Sequence, residues 1–535
     1  MVARYGRARA LWAGKCAWSP RKEWDRVQFC RESARGQEKG EDAIKFSGRG
    51  FLVIFAALKF GLMNNLKIYK NILGIAICIL TALFSGSCTV SEWEEGFLPG
   101  GITGTGSDTD TGKGNAGDRT HNEDRRKVLL LYSAGYNSLR NYLLEDIEDL
   151  KSGWLPKDYP NHDILLVYTH TPKSNSAYGI PTTPYLIRYY EGDDGLPVAD
   201  TLVTYEAGTR SSTAEQFHNV LTFVKNNFPA GSYGMVFSSH ATGYLPSGFY
   251  NKPESYEYIP KKSRMKQFGL GIDQDQRFTT APVPYYAPEF DPSLPLTKSI
   301  GQDQVGSAGN YVSYEMELAD FAEAIPMKFD YILFDACLMG GIEVAYELRN
   351  VCDRIGFSQT EVLAEGLNYK TLTEHLLKNT VPNPQAVCED YFSQYIKQSG
   401  VYQSATISLI DCRELEPLAE VCKNIFTNHS SGIKAIRMSN VQQYYRSNYR
   451  YFYDLKSIIQ EAGATAQEMA ELNEALDRCV IYGAFTPKFM DEFRILTYSG
   501  FSMYLPRDLH TAFYFEELNM YYQTLAWNKA TGLVR

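Results

Sequence analysis

From Lys127 onward, short apolar runs of strand length alternate with longer stretches of helical period, and no other property of the sequence narrows its fold as much. Lys127 opens Val128-Leu129-Leu130-Leu131-Tyr132, and Asp163 opens Ile164-Leu165-Leu166-Val167-Tyr168. Both runs are apolar and bounded by turn residues, the pattern of strands covered on two faces. Further strands are predicted from Tyr185 to Tyr190, Tyr233 to Ser238, Tyr331 to Phe334, Arg354 to Ser358 and Ala405 to Ile410. Between them Phe217, Val220, Leu221, Val224 and Phe228 fall on one helical face, and Tyr314, Leu318, Phe321, Ala322 and Ile325 repeat the stripe. Such alternation needs crossover connections, so the predicted class is α/β, a mainly parallel sheet flanked by helices. Residues 248–309 break the rhythm with Pro, Tyr, Lys and Asp, and read as a surface insertion in a domain spanning 127–420. From 421 to 535 the pattern turns helical, clearest from Ala464 to Cys479, and predicts a smaller, mostly helical C-terminal subdomain.

The segment ahead of this domain has a different character. Met63 starts a stretch with Lys67 and Lys70, then an apolar run from Ile72 to Phe84, then Ser85-Gly86-Ser87-Cys88. The apolar run is short for a membrane span, and small residues lead into a cysteine. Residues 63–87 therefore resemble a bacterial lipoprotein signal peptide, which implies lipidation of Cys88 and a lipid-anchored place in the cell envelope, at the outer membrane or cell surface. Residues 1–62 are basic and lack a sustained period, and are expected to be an upstream extension from a misassigned start. Residues 88–126 are rich in Gly, Thr, Asp and Ser, a composition that cannot bury a core and reads as a flexible tether.

Composition excludes several classes. With 44% apolar residues in 535, the chain can bury a large core. Its formal charge of -9 argues against a nucleic-acid partner, which needs clustered Lys and Arg. Ten cysteines without a CxxC pair suit neither a disulfide scaffold nor a zinc knuckle.

In an open parallel sheet, ligands bind beyond the carboxyl ends of the strands. Two reactive residues are predicted there. The strand from Gly234 to Ser239 runs into His240, and the strand from Tyr331 to Phe334 runs through Asp335 and Ala336 into Cys337, ahead of a helix from Ile342 to Leu348. A thiol near a helix start is biased toward thiolate, and a Cys with a His supplies nucleophile and proton carrier for acyl transfer. Placement alone also fits a buried small residue and an ordinary loop histidine.

The stretch Phe334-Asp335-Ala336-Cys337-Leu338-Met339-Gly340, continued by Ile342-Glu343-Val344-Ala345-Tyr346-Glu347-Leu348, is similar to the nucleophile segment of the clostripain family. The run Gly500-Phe501-Ser502-Met503-Tyr504-Leu505-Pro506 resembles a late segment of the same family. This resemblance implies a caspase-like fold, a His240 and Cys337 dyad, and an endopeptidase acting on protein or peptide substrates after Arg or Lys. It places Asp335 in the pocket for the basic side chain and Glu365 as a second acidic wall. The backbone N–H groups of Ala241 and Cys337 become the oxyanion donors, although Ala241 stands where the family usually carries Gly. Some members activate by self-cleavage between the two catalytic residues, where Lys261, Lys262 and Arg264 form a basic cluster. The chemistry requires no cofactor; calcium enters because some members depend on it, and no metal ligands are assignable here. The rival expectations are a non-catalytic caspase-like surface lipoprotein that binds peptide or glycan, motivated by Ala241, and an acyltransferase using the same dyad.

Overall fold

The computed structural model describes residues 126–159, 162–250, 253–260, 280–284, 293–295, 297, 303–307, 310–446, 451–507 and 513–535. The expected upstream extension, signal peptide, Cys88 and the residues Lys261, Lys262 and Arg264 lie outside the described residues, as does the tether up to residue 125.

The apolar runs form strands where expected. In chain order they are β1 (Lys127–Ala134), β2 (Ile164–His170), β3 (Tyr185–Glu191), β4 (Pro197–Thr204) and β5 (Ser232–Ser238). The inserted residues contribute β6 (Pro282–Pro284) and β7 (Asp303–Ser307), which pair with β8 (Asn310–Tyr314) just beyond them as a separate small sheet. There follow β9 (Phe329–Asp335), β10 (Cys352–Phe357), β11 (Thr406–Asp411), β12 (Tyr453–Asp454) and β13 (Val480–Phe485). Nine strands make the main sheet in the order β13-β11-β10-β9-β5-β1-β2-β3-β4. The five central strands, β10 through β2, run parallel, and the outer ones pair antiparallel. Every residue of β1 is buried, as a central strand covered on both faces requires.

Strand pleating sends successive side chains to opposite faces. On one face lie the helices α1 (Ala214–Asn227) and α2 (Leu318–Glu323). Phe217 of α1 and Phe321 of α2 stack with ring centroids 4.6 Å apart, and Phe237 of β5 meets both edge-on. Thr213 caps α1 by accepting the Gln216 N–H. Ser238 and Asp335 point to the other face, where Tyr369 reaches Asp335 from a short helix at Tyr369–Thr373. The helix α3 that follows Cys337 spans Ile342–Leu348, the bounds expected from sequence.

Three elements depart from the sequence reading. Tyr314 ends β8, where it pairs with Asp303 and Pro282, so the helix of its apolar stripe begins only at Leu318. The edge strands β4 and β13 are not predicted from sequence: β4 carries Asp200, Thr201 and Thr204 and lacks an apolar run, whereas β13 is apolar from Val480 to Phe485 yet alternates between half-buried and exposed residues at the sheet edge. The apolar run ending at Leu505 pairs over only two residues, Ser502–Met503 against β12. Residues 421–535 are mostly helical as expected, and they also lend β13 to the edge of the main sheet.

Candidate active site

The chain passes from β1 to β2 on one side, then returns to place β5 on the other side of β1. The loops leaving β1 and β5 therefore diverge and open a crevice at the carboxyl ends of the strands. His240 lies two residues beyond Ser238, the last residue of β5, and Cys337 lies two beyond Asp335, the last of β9. Ser238 and Asp335 are direct register partners, so the histidine and the cysteine leave neighbouring parallel strands at the same level. Adjacent strands are about 4.8 Å apart, which puts the two loops within contact range.

The loops do touch. Gly243 has φ +63°, and a Cβ there would lie 2.4 Å from the Leu338 carbonyl oxygen, so only glycine fits between the histidine loop and the nucleophile loop. Leu338 itself has φ 62°, a left-handed conformation that costs a side-chain-bearing residue about 1–2 kcal/mol. It is held by its N–H to the Thr360 carbonyl at 2.9 Å and by the Gly340 N–H to Ser358 at 2.7 Å. The kink turns the chain sharply just after Cys337.

Both backbone groups of Val362 approach the cysteine sulfur. The Val362 N–H points at Cys337 Sγ from 3.1 Å, a donor that favours the anionic sulfur, while the thiol faces the Val362 carbonyl at 3.6 Å, an acceptor that favours the protonated form. The Cys337 side chain is fully buried in this structure. Cys352, Cys388, Cys412, Cys422 and Cys479 are also free buried thiols, and burial pushes Cys388 up to about 12. His240 is likewise buried, and its Nε2 lies 3.1 Å from the Ser138 hydroxyl. Its backbone neighbour Ala241 is half-buried.

Asp335 is completely buried. Its Oδ2 accepts from Ser238 Oγ at 2.8 Å and from Tyr369 OH at 2.7 Å. Burial, reinforced by the Asp335 charge, holds the Tyr369 phenol protonated well above its usual range, so it stays a donor. Glu365 is exposed, in contrast to Asp335, on the loop that follows β10. Its charge adds to burial in raising Tyr142 and, more weakly, Tyr395.

Several contributors came without a sequence signal. Ser138 follows β1, and only the pairing of β1 with β5 brings it to His240. Glu361, buried beside Val362, takes a two-pronged ion pair from Arg446 at 2.8 and 3.2 Å and a hydrogen bond from Thr297 at 3.0 Å. These partners are separated by tens of residues, so no local spacing announces them. The other histidines keep structural roles: burial lowers His170 to about 3 between Ser211 and Thr182, His218 bonds the Ala324 carbonyl, and His375 pairs with Asp390. Among the described residues, no group of three or more His, Cys, Asp and Glu side chains is placed to hold a metal ion.

Residues 131–256 and 287–532 match the clostripain family. Over 241 residues the chain is 22% identical to clostripain of Hathewaya histolytica, an overlap of 43% of this chain and 37% of that protein. The chain thus spans little more than a third of that relative's length. An X-ray structure of an inactive zymogen C11 protease from Parabacteroides distasonis superposes with a TM-score of 0.57 at 26% identity, over 76% of this chain and 98% of the other. A secreted C11 cysteine protease from Bacteroides thetaiotaomicron, in complex with an irreversible peptide inhibitor, gives 0.56 at 25% identity over the same shares. The parallel sheet flanked by helices is the architecture common to these proteins, in line with the caspase-like expectation.

Proposed function

Since the chain belongs to the clostripain family, we propose that it is a cysteine endopeptidase whose nucleophile is Cys337 and whose proton carrier is His240. The observation that carries this reading is the contact between the two loops: Gly243 packs on the Leu338 carbonyl, so the histidine and the cysteine sit on one crevice. Because Ser138 holds Nε2, Nδ1 is the nitrogen assigned to the proton of Cys337. The sulfur attacks the substrate carbonyl, the oxyanion is received by the N–H groups of Ala241 and Cys337, and the histidine passes its proton to the leaving amine. Water then releases the acyl group with the histidine as base.

The buried carboxylate of Asp335 supports cleavage after Arg or Lys, because a guanidinium or ammonium is the group that best offsets such a charge. Glu365 is proposed to meet the same cation from the exposed side. The full burial of Cys337 supports a latent precursor, uncovered by self-cleavage at Lys261, Lys262 or Arg264. Export as a lipoprotein anchored through Cys88 in the cell envelope, and a dependence on calcium, are further parts of the proposal; labelled-palmitate incorporation lost in Cys88→Ala tests the first, and assay with a calcium chelator the second.

The decisive experiment is a fluorogenic peptide screen comparing Arg, Lys and neutral residues before the scissile bond. It uses the chain before and after limited trypsin nicking, with and without calcium, and Cys337→Ala as control. Cleavage after Arg or Lys that disappears in the control is expected. Cleavage after neutral residues keeps the peptidase and discards the Asp335 pocket. No cleavage under any condition returns the chain to the rival class of binding lipoproteins.

A further inference from the structure

Beside His240, on the face of the sheet opposite Asp335, lies a cavity of about 70 Å³. His240, Ala241 and Met339 form its border with the crevice, and Phe237, Met316, Leu318 and Phe321 form much of its wall. We infer that this cavity is a subsite for an apolar side chain of the residue that follows the scissile bond.

The assignment rests on the peptidase reading and on the geometry of the two strand ends. Ser238 and Asp335 face Tyr369 on one side of the sheet, while Phe237 and Phe334, one residue earlier, face α1 and α2 on the other. A substrate whose basic side chain enters toward Asp335 crosses the nucleophile with its leaving group on the flank of the histidine, because the histidine must protonate that amine. The cavity lies on this flank: His240 borders it, whereas Asp335, Cys337 and Val362 do not. The first side chain beyond the cut is therefore directed toward its apolar wall.

The chemistry of the wall sets the preference. Phe237, Leu318 and Phe321 belong to the folded core, so the floor of the cavity is preformed and needs no rearrangement to receive an aliphatic group. Among the described residues that line it, the one acidic side chain is Glu315, which is buried and accepts the Gly248 N–H at 2.7 Å. A carboxyl already buried in the wall disfavours a second one, from Asp or Glu, at the same substrate position. Leu, Met or Val should be accepted, Gly should leave the cavity empty, and acidic residues should be rejected.

The test is a set of internally quenched peptides that share the best residue before the cut and carry Leu, Phe, Gly or Asp after it, given to the full chain activated by nicking. The expected kcat/KM for Leu exceeds that for Gly by about tenfold, the scale on which an apolar pocket discriminates one side chain from another, and Asp is the poorest. Met316→Trp fills the cavity and should bring the Leu to Gly ratio down toward one. Met316→Ala enlarges it and should move the preference from Leu toward Phe. If wild type cleaves all four peptides at similar rates, or if both variants keep the wild-type ratios, the subsite is overturned while the peptidase stands. If no peptide is cut, and Cys337→Ala matches wild type, the peptidase reading itself fails and the subsite with it.

Discussion

The hydroxyl of Ser138 lies 3.1 Å from Nε2 of His240, linking the loop after β1 to the proposed proton carrier at the end of β5. Nε2 cannot face both Ser138 and the cysteine, so this contact selects the ring orientation and leaves Nδ1 for the cysteine. Ser138→Ala is expected to lower kcat about five- to tenfold, the worth of one modest hydrogen bond, with KM little changed. Ser138→Thr keeps the hydroxyl and should recover most of the rate. A Ser138→Ala enzyme with the wild-type kcat and pH profile would falsify the orienting role.

Asp335 is held by Ser238 and Tyr369, both of which can donate equally well to an amide oxygen. Asp335→Asn should therefore fold normally while losing the charge that pairs with a basic side chain. The expected result is a drop in kcat/KM for Arg and Lys substrates of about a hundredfold or more, with much less effect on neutral ones. Equal losses across all substrates would assign Asp335 to the fold instead.

The Glu361–Arg446 pair stands behind the loop that aims the Val362 N–H at Cys337 Sγ. Arg446→Ala leaves the Glu361 carboxylate buried without its fork, a change that costs about 3–5 kcal/mol when a buried ion pair is broken. Urea denaturation should register that loss. Iodoacetamide alkylation of Cys337 in the activated enzyme should slow in parallel, because the donor to the thiolate is no longer held. Normal alkylation in a destabilised variant would separate the pair from the nucleophile.

Glu343 in α3 is fully buried, accepting the Tyr504 N–H at 2.8 Å and the Tyr522 hydroxyl at 2.7 Å. Burial raises its pKa to about 7, with these two donors opposing the shift. A carboxyl whose folded pKa exceeds its unfolded value binds more protons when native, so its favourable contribution is present at low pH and is lost as pH rises from about 4.5 through about 7. Over that window the shift corresponds to about 3 kcal/mol. Glu343→Gln keeps an acceptor for both donors without the charge. It should be more stable than wild type at pH 8 and nearly equal at pH 5, as read by chemical denaturation at the two values.

How much of this was legible before the tertiary structure differs between elements. The central strands β1, β2, β5, β9 and β10 were readable because strands buried on both faces must be apolar throughout. The helix of Ala214–Asn227 was readable from its stripe. His240 and Cys337 were locatable because each follows an apolar run directly, and the Asp-Ala-Cys-Leu-Met stretch carried a family resemblance. Glu365 was named only through the resemblance, as a second acidic wall, and its exposure in contrast to the buried Asp335 was not readable.

Sequence alone therefore determined the α/β class and the strand-end positions of the two candidate reactive residues, with an acidic residue two places before the cysteine. All three are local properties, set by periodicity and by neighbours a few residues apart. The tertiary structure decided that Ser238 stands in register with Asp335, that Ser138 meets His240, that Arg446 clamps Glu361 and that a cavity opens behind the histidine. Each of these depends on strand order and on loops distant along the chain, and a side chain carries no mark of a partner that only folding brings within reach.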